Sequence, residues 1–158
     1  MTLPQQAADA ITTAAGWKTA VPDEHGVFHF RLEGDLDMDF LCPDGRTGIL
    51  RGTLTTLPDA ENEAELLLRR CAQRAVAVCK KRKSVLSVES GRLQLHRAVR
   101  LDKMTRDELR EVLATEARDF LNDLAWWHNE VGNQKESAAT TTSAFSFSGF
   151  GTNWSLGR

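Results

Sequence analysis

The sequence predicts an α+β fold in the order helix, three-stranded antiparallel meander, helix, two strands, helix. Three observations carry this. From Val27 to Leu57, apolar and polar residues alternate with a period of two, broken by glycine-containing turns. Two later stretches, one opening at Leu57-Pro58-Asp59 and one at Thr105, carry apolar residues at helical spacing with acidic residues at their starts. Between them, two short apolar runs flank Ser90-Gly91, a tight-turn pair.

The first helix starts near Thr2 and Pro4, continues through Ala7, Ala8, Ala10, Ile11, Ala14 and Ala15, and stops at Gly16. Pro22-Asp23-Glu24-His25-Gly26 is a turn-rich link. Phe28, Phe30 and Leu32 then alternate with His29, Arg31 and Glu33, and after Gly34-Asp35 the residues Leu36, Met38 and Phe40 alternate with Asp37 and Asp39. Cys42-Pro43-Asp44-Gly45-Arg46 supplies the next turn, and a strand from about Thr47 to Leu57 completes the meander.

Glu61, Glu63 and Glu65 crowd the start of the second helix and Lys80, Lys81, Arg82 and Lys83 follow its end, complementing the helix dipole. Leu67, Leu68, Cys71, Ala75, Val78 and Cys79 form one stripe, which Leu66, Ala72 and Val76 widen beyond a single contact surface. This helix is expected to pack both on its own sheet and on a second subunit. Val85, Leu86 and Val88, then Leu93, Leu95 and Val99, give the last two strands. Thr105 and Glu108 have the spacing of a capping box, and Leu109 to Val131 supply the apolar stripe of the last helix. After Gly132 the composition turns to Ser, Thr, Ala and Gly, so an α+β domain over 1–132 and a tail with spaced aromatics over 133–158 are expected.

A chain of 158 residues suits one domain, which at this size buries roughly 70% of its unfolded surface without a disulfide or metal. Net charge −2 gives no general attraction to nucleic acid or acidic lipid. Residues 1–16 lack the basic start and continuous apolar core of a signal peptide, and three cysteines suit a reducing compartment, so a cytoplasmic location is expected. Cys71 and Cys79 stand about 12 Å apart along a helix, too far for one disulfide or one zinc ion, and read as packing residues. Asn153-Trp154-Ser155 matches a glycosylation acceptor by chance.

No pattern of catalytic chemistry emerges. Asp35, Asp37 and Asp39 have the spacing that opens a calcium loop, but Phe40 and Arg46 stand where that loop needs Gly and Glu; the wet face of a strand is the better reading. His25, His29, His96 and His128 are scattered without ligand spacing. Neither a nucleophile elbow, a phosphate-binding glycine loop nor a Cys-x-x-Cys pair occurs. The basic run Lys80–Lys83 with Arg69, Arg70 and Arg74 lacks interleaved aromatics and reads as a solvated helix face. Trp126 and Trp127, adjacent on a helix, must point apart, one inward and one toward an edge or interface.

Several local segments carry a family likeness: Phe28-His29-Phe30-Arg31-Leu32, the turn Pro43-Asp44-Gly45-Arg46, Leu57-Pro58 ahead of Glu65-Leu66-Leu67-Leu68-Arg69-Arg70, and Leu121-Asn122-Asp123-Leu124-Ala125-Trp126-Trp127. Over about Thr2 to Val131 the chain resembles the small dimeric chaperones of bacterial type III secretion, the Tir-chaperone or CesT-like family. The resemblance implies a homodimeric α+β secretion-chaperone fold with the second helix at the two-fold interface. It implies binding of the N-terminal region of secreted effector proteins, kept extended by strand addition and apolar patches and delivered to the secretion apparatus, with a secretion ATPase as a further partner. It implies no catalysis, no cofactor or metal, no nucleic acid partner and no stable membrane insertion. A regulatory or export-control protein of the same fold, sequestering a secretion regulator, is the alternative; a small enzyme with an unrecognised site is a more distant one.

Candidate dimer residues are Leu66, Leu67, Arg70, Ala72, Arg74 and Val78. Candidate cargo contacts are Ile11 on the first helix and Val27, Leu41 and Leu50, assigned to strand faces opposite the core. Phe145, Phe147, Phe150 and Trp154 are candidate tail anchors, able to fill an apolar patch as a pseudo-cargo.

Overall fold

The computed structural model describes the backbone of residues 1–145 apart from Asp35, and side chains as far as Glu136. Eight elements follow in order: α1 (Leu3–Ala15), β1 (Phe28–Arg31), β2 (Asp37–Leu41), β3 (Thr47–Thr56), α2 (Glu61–Val78), β4 (Val85–Glu89), β5 (Arg92–Arg100) and α3 (Arg106–Phe145). The expected α+β order is the observed one. Local signals account for the boundaries. Gly16 takes the left-handed conformation with φ 70° and closes α1, while the Trp17 N–H donates back to Thr12 O. At the start of α3, Glu108 Oε2 accepts the Thr105 N–H at 2.8 Å and the Glu108 N–H reaches Thr105 Oγ1 at 3.4 Å, the predicted capping box.

All five strands form one antiparallel sheet in the order β1-β2-β3-β5-β4. Helix α2 carries the chain from β3 over β5 to the far side, so the hairpin returns with β5 inside and β4 outside. Thr47 pairs with Arg100 and Thr56 with Arg92 along this central seam. The sheet therefore has two edges, β1 and β4.

Helix α3 lies across β3 and β5, and α1 packs on α3. Met38, Phe40, Leu50, Leu95, Leu113, Phe120, Leu124 and Trp127 are all at most 1% exposed in this layer. Burying each such side chain contributes about 1.5–3 kcal/mol. The layers approach closely at Gly52, where a Cβ would sit 2.6 Å from Leu124 Cδ1. Glycine is required there by space.

Three expectations need correction. Leu50 faces the core rather than the open side of the sheet: its Cα partner is Phe40, so it shares that residue's face, and Ile49 takes the other. Ile11 is 1% exposed because the apolar side of α1 is spent on α3. Leu67 is buried in the chain's own core with Cys71 and is not free for a partner. In addition, the last helix does not stop at Gly132 but runs to Phe145. One helical glycine costs about 1 kcal/mol, and the next turn is held by Gln134, which accepts from Cys71 Sγ, and by Lys135, which donates to Thr55 Oγ1. Phe147, Phe150 and Trp154 lie outside the described residues, as do the side chain of Phe145 and Asp35.

Candidate functional site

An apolar groove of about 660 Å³ lies between α2 and the β4 edge. Leu68, Cys71, Ala75 and Val78 form one wall, Val85, Leu86 and Val88 the other, and Trp127 and Leu93 contribute from beneath. Its rim leaves large apolar groups in water: Val76 is 75% exposed, Val85 55% and Val88 50%. On the outer side of α2, Leu66 is 41% exposed. These residues cover too little of the chain's own core to explain their character, because only Leu67 and Cys71 of α2 are buried.

Polar contacts hold α2 and the groove floor in place. Asp123 on α3 accepts from Arg82 Nη1 at 2.9 Å and from Ser84 Oγ at 2.7 Å, pinning the α2–β4 connection. Trp126 lies under two guanidiniums, Arg82 at 4.3 Å and Arg74 at 5.4 Å from the ring centroid. Arg74 also pairs with Glu130 at 2.9 Å. Trp126 is thus the edge tryptophan and Trp127 the buried one, set edge-on at 5.0 Å.

Of the candidate dimer residues, Leu66, Ala72 and Arg74 are exposed, Arg70 and Val78 are half-buried, and Leu67 is buried in the chain's own core. Ala72 and Val78 line the groove. The exposure of Val85 and Val88 escaped the sequence reading because nothing local marks β4 as an edge; that follows from β5 pairing with β3.

Of the candidate cargo residues, Val27 and Leu41 come together. Both line a shallow groove of about 340 Å³ beside the β1 edge, bounded by Pro4 and Pro22 and floored by Phe28. Ile11 and Leu50 lie in the core.

The open face of the sheet carries a polar row instead. His29, Asp39, Arg51 and His96 are successive cross-strand partners on β1, β2, β3 and β5. His29 Nδ1 is 2.7 Å from Asp39 Oδ1, and Arg51 Nη2 donates to Asp39 Oδ2 at 3.0 Å. Hydrogen bonds that the His29 imidazole donates to Asp23 and then Asp39 hold it above its ordinary range. The Cys42 and Cys71 thiols are pushed up by burial, the opposite of an activated nucleophile. Among the described residues, no His, Cys, Asp and Glu group could hold a metal ion, and no helix is long and apolar enough to cross a membrane.

The two terminal strands of the sheet, β1 and β4, each lie beside a groove with apolar lining, an arrangement that suits the binding of extended protein segments. The family model of the Tir chaperone protein (CesT) family matches residues 7–116, spanning most of α1, the whole sheet, α2 and the start of α3. This chain belongs to that family. The fold of this CesT-family chain is similar to a chain of the HopA1-SchA chaperone-effector complex, with TM-score 0.56 and 16% identity, covering 80% of this chain and 94% of that one. It is also similar to a chain of the ExsC-ExsE complex, with TM-score 0.55 and 14% identity over 82% and 96% of the two chains. No curated protein sequence matches it.

Proposed function

We propose that this CesT-family protein is a cytoplasmic type III secretion chaperone that binds the N-terminal region of effector proteins, keeps it extended and promotes its delivery without chemical turnover. The observation that carries this reading is the pairing of terminal sheet strands with shallow apolar grooves in a fold of the Tir chaperone family.

The α2–β4 groove is the homodimer surface. Val76, Val85 and Val88 need cover, and the charge pattern of α2 fits a second copy. Antiparallel α2 helices bring Glu61, Glu63 and Glu65 of one subunit beside the basic run 80–83 of the other. The β1 edge with Val27 and Leu41 is left for cargo. An extended segment adding there gains main-chain hydrogen bonds from β1 and places alternate side chains in the groove.

Purification from the native cell, with mass spectrometry of the bound protein and sedimentation in parallel, tests this. The expected result is a dimer carrying a secreted effector, with exchange protection on β1. A strictly monomeric protein at micromolar concentration, or a transcriptional regulator as the bound species, overturns it.

A further inference from the structure

The connection between α1 and β1, residues 16–27, runs beside the edge of the sheet. Trp17 lies against Phe30 with ring centroids 5.5 Å apart. Gln5 Nε2 donates to Ala20 O at 3.5 Å. Residues 17–21 face His29, Phe30 and Arg31 across a gap of about 460 Å³. At its far end the connection is tied down by one carboxylate. Asp23 Oδ1 accepts the backbone N–H groups of His25 and Val27 at 2.9 and 2.8 Å, and Asp23 Oδ2 lies 3.0 Å from His29 Nε2.

His29 thus has a carboxylate on each ring nitrogen, Asp23 from the connection and Asp39 from β2. Carboxylates only accept, so both contacts are hydrogen bonds only when the imidazole carries two protons. The other charged groups around this point are Arg51 of β3, which pairs with Asp39, Arg31 of β1, which pairs with Asp37 at 3.9 Å, and Lys18, which lines the gap. None of these three cations forms an ion pair with Asp23.

We propose that residues 16–27 form a strap over the β1 edge and that the chain Asp23–His29–Asp39 is its proton-dependent latch, closed when the imidazole is charged. The latch rests on reading β1 as the cargo edge, and it sets how readily that edge is uncovered. The strands of the sheet pair with one another and not with the strap, so opening does not require the sheet to unfold.

The hydrogen bonds to Asp23 and then Asp39 raise the His29 pKa above 6.5, so the latch's contribution is complete below that pH and is lost as the pH climbs through the raised pKa. Asp23, lowered to about 2, first by the Val27 N–H and then by His29, stays ionised throughout this range.

The test uses the free full-length chain and amide exchange corrected for its intrinsic pH dependence, at about pH 6 and about pH 8.5. Protection of residues 17–27 is expected to fall several-fold at the higher pH while β3 is unchanged. His29→Gln is expected to show the low protection at both, with β3 confirming that the variant is folded. An NMR titration is expected to place His29 above 6.5. A His29 that titrates at or below that value, or strap protection that is the same in both proteins and at both pH values, overturns the latch. No cargo is present, so this outcome is separate from that of the binding reading. An effector footprint away from β1, with the pH response intact, overturns the β1 assignment alone.

Discussion

Arg97 on β5 and Asp123 on α3 form an ion pair at 3.3 Å with side chains only 8% and 6% exposed. Arg97 also donates to Glu116 at 3.1 Å, and Asp123 also binds Arg82 and Ser84. One carboxylate therefore joins the central sheet, the long helix and the loop that leads into β4. Buried charges are tolerated here because each has several partners, and removing one strands the others.

Asp123→Ala is expected to destabilise the fold by about 3–5 kcal/mol, the range for breaking a buried pair from one side. Urea unfolding measures it. A loss below about 1 kcal/mol would show that the network contributes little beyond what a surface pair gives.

Gly52→Ala places a methyl group 2.6 Å from Leu124 Cδ1. The expected cost is about 1–3 kcal/mol from overpacking. The double variant Gly52→Ala with Leu124→Val should recover part of it; simple additivity in the unfolding midpoints would disprove the steric cause.

Val88→Glu puts a charge on the exposed wall of the α2–β4 groove. It is expected to yield monomers in sedimentation while leaving the isolated fold's stability within about 0.5 kcal/mol. Leu67→Ala is the contrast: it opens the chain's own core and is expected to cost about 2–5 kcal/mol. A Val88→Glu protein that remains dimeric removes the groove from the interface.

Asp44 accepts the backbone N–H groups of Arg46 and Thr47 and the Thr47 hydroxyl, which together hold it near about 2 against an ordinary 3.8. A depressed carboxylate contributes stability that is present above its unfolded value and lost as pH falls through its folded one. Wild type is expected to lose this contribution between 3.8 and about 2, and Asp44→Asn is expected to flatten the unfolding midpoint over that range. Parallel acid profiles for the two proteins would rule the turn out as a source.

The features legible in the sequence share one property, that their partners are near in the chain. The Thr105–Glu108 box is closed within three positions, Gly16 closes α1 by letting following N–H groups donate to carbonyls of its last turn, and Ser90-Gly91 turns a two-residue hairpin with positive φ at both. Alternation also placed Met38 and Phe40 correctly against Asp37 and Asp39. It misplaced Leu50, because β3 is punctuated by Gly48 and Gly52, whose faces a side-chain pattern does not show. Val27 and Leu41 meet beside β1, while Ile11 and Leu50 are drawn inward by α3, which no spacing within α1 or β3 encodes.

By itself, the sequence determined the kinds and order of the elements, the dipole-matched charges of α2 and the family likeness, because these depend on local propensity and periodicity. Tertiary structure alone decided that β5 enters between β3 and β4, and so which strands are edges, which valines stay exposed and where His29 meets Asp23. Those outcomes depend on pairings as distant as Thr47 with Arg100 and on how much of each apolar face α3 covers. Local preference has no term for either.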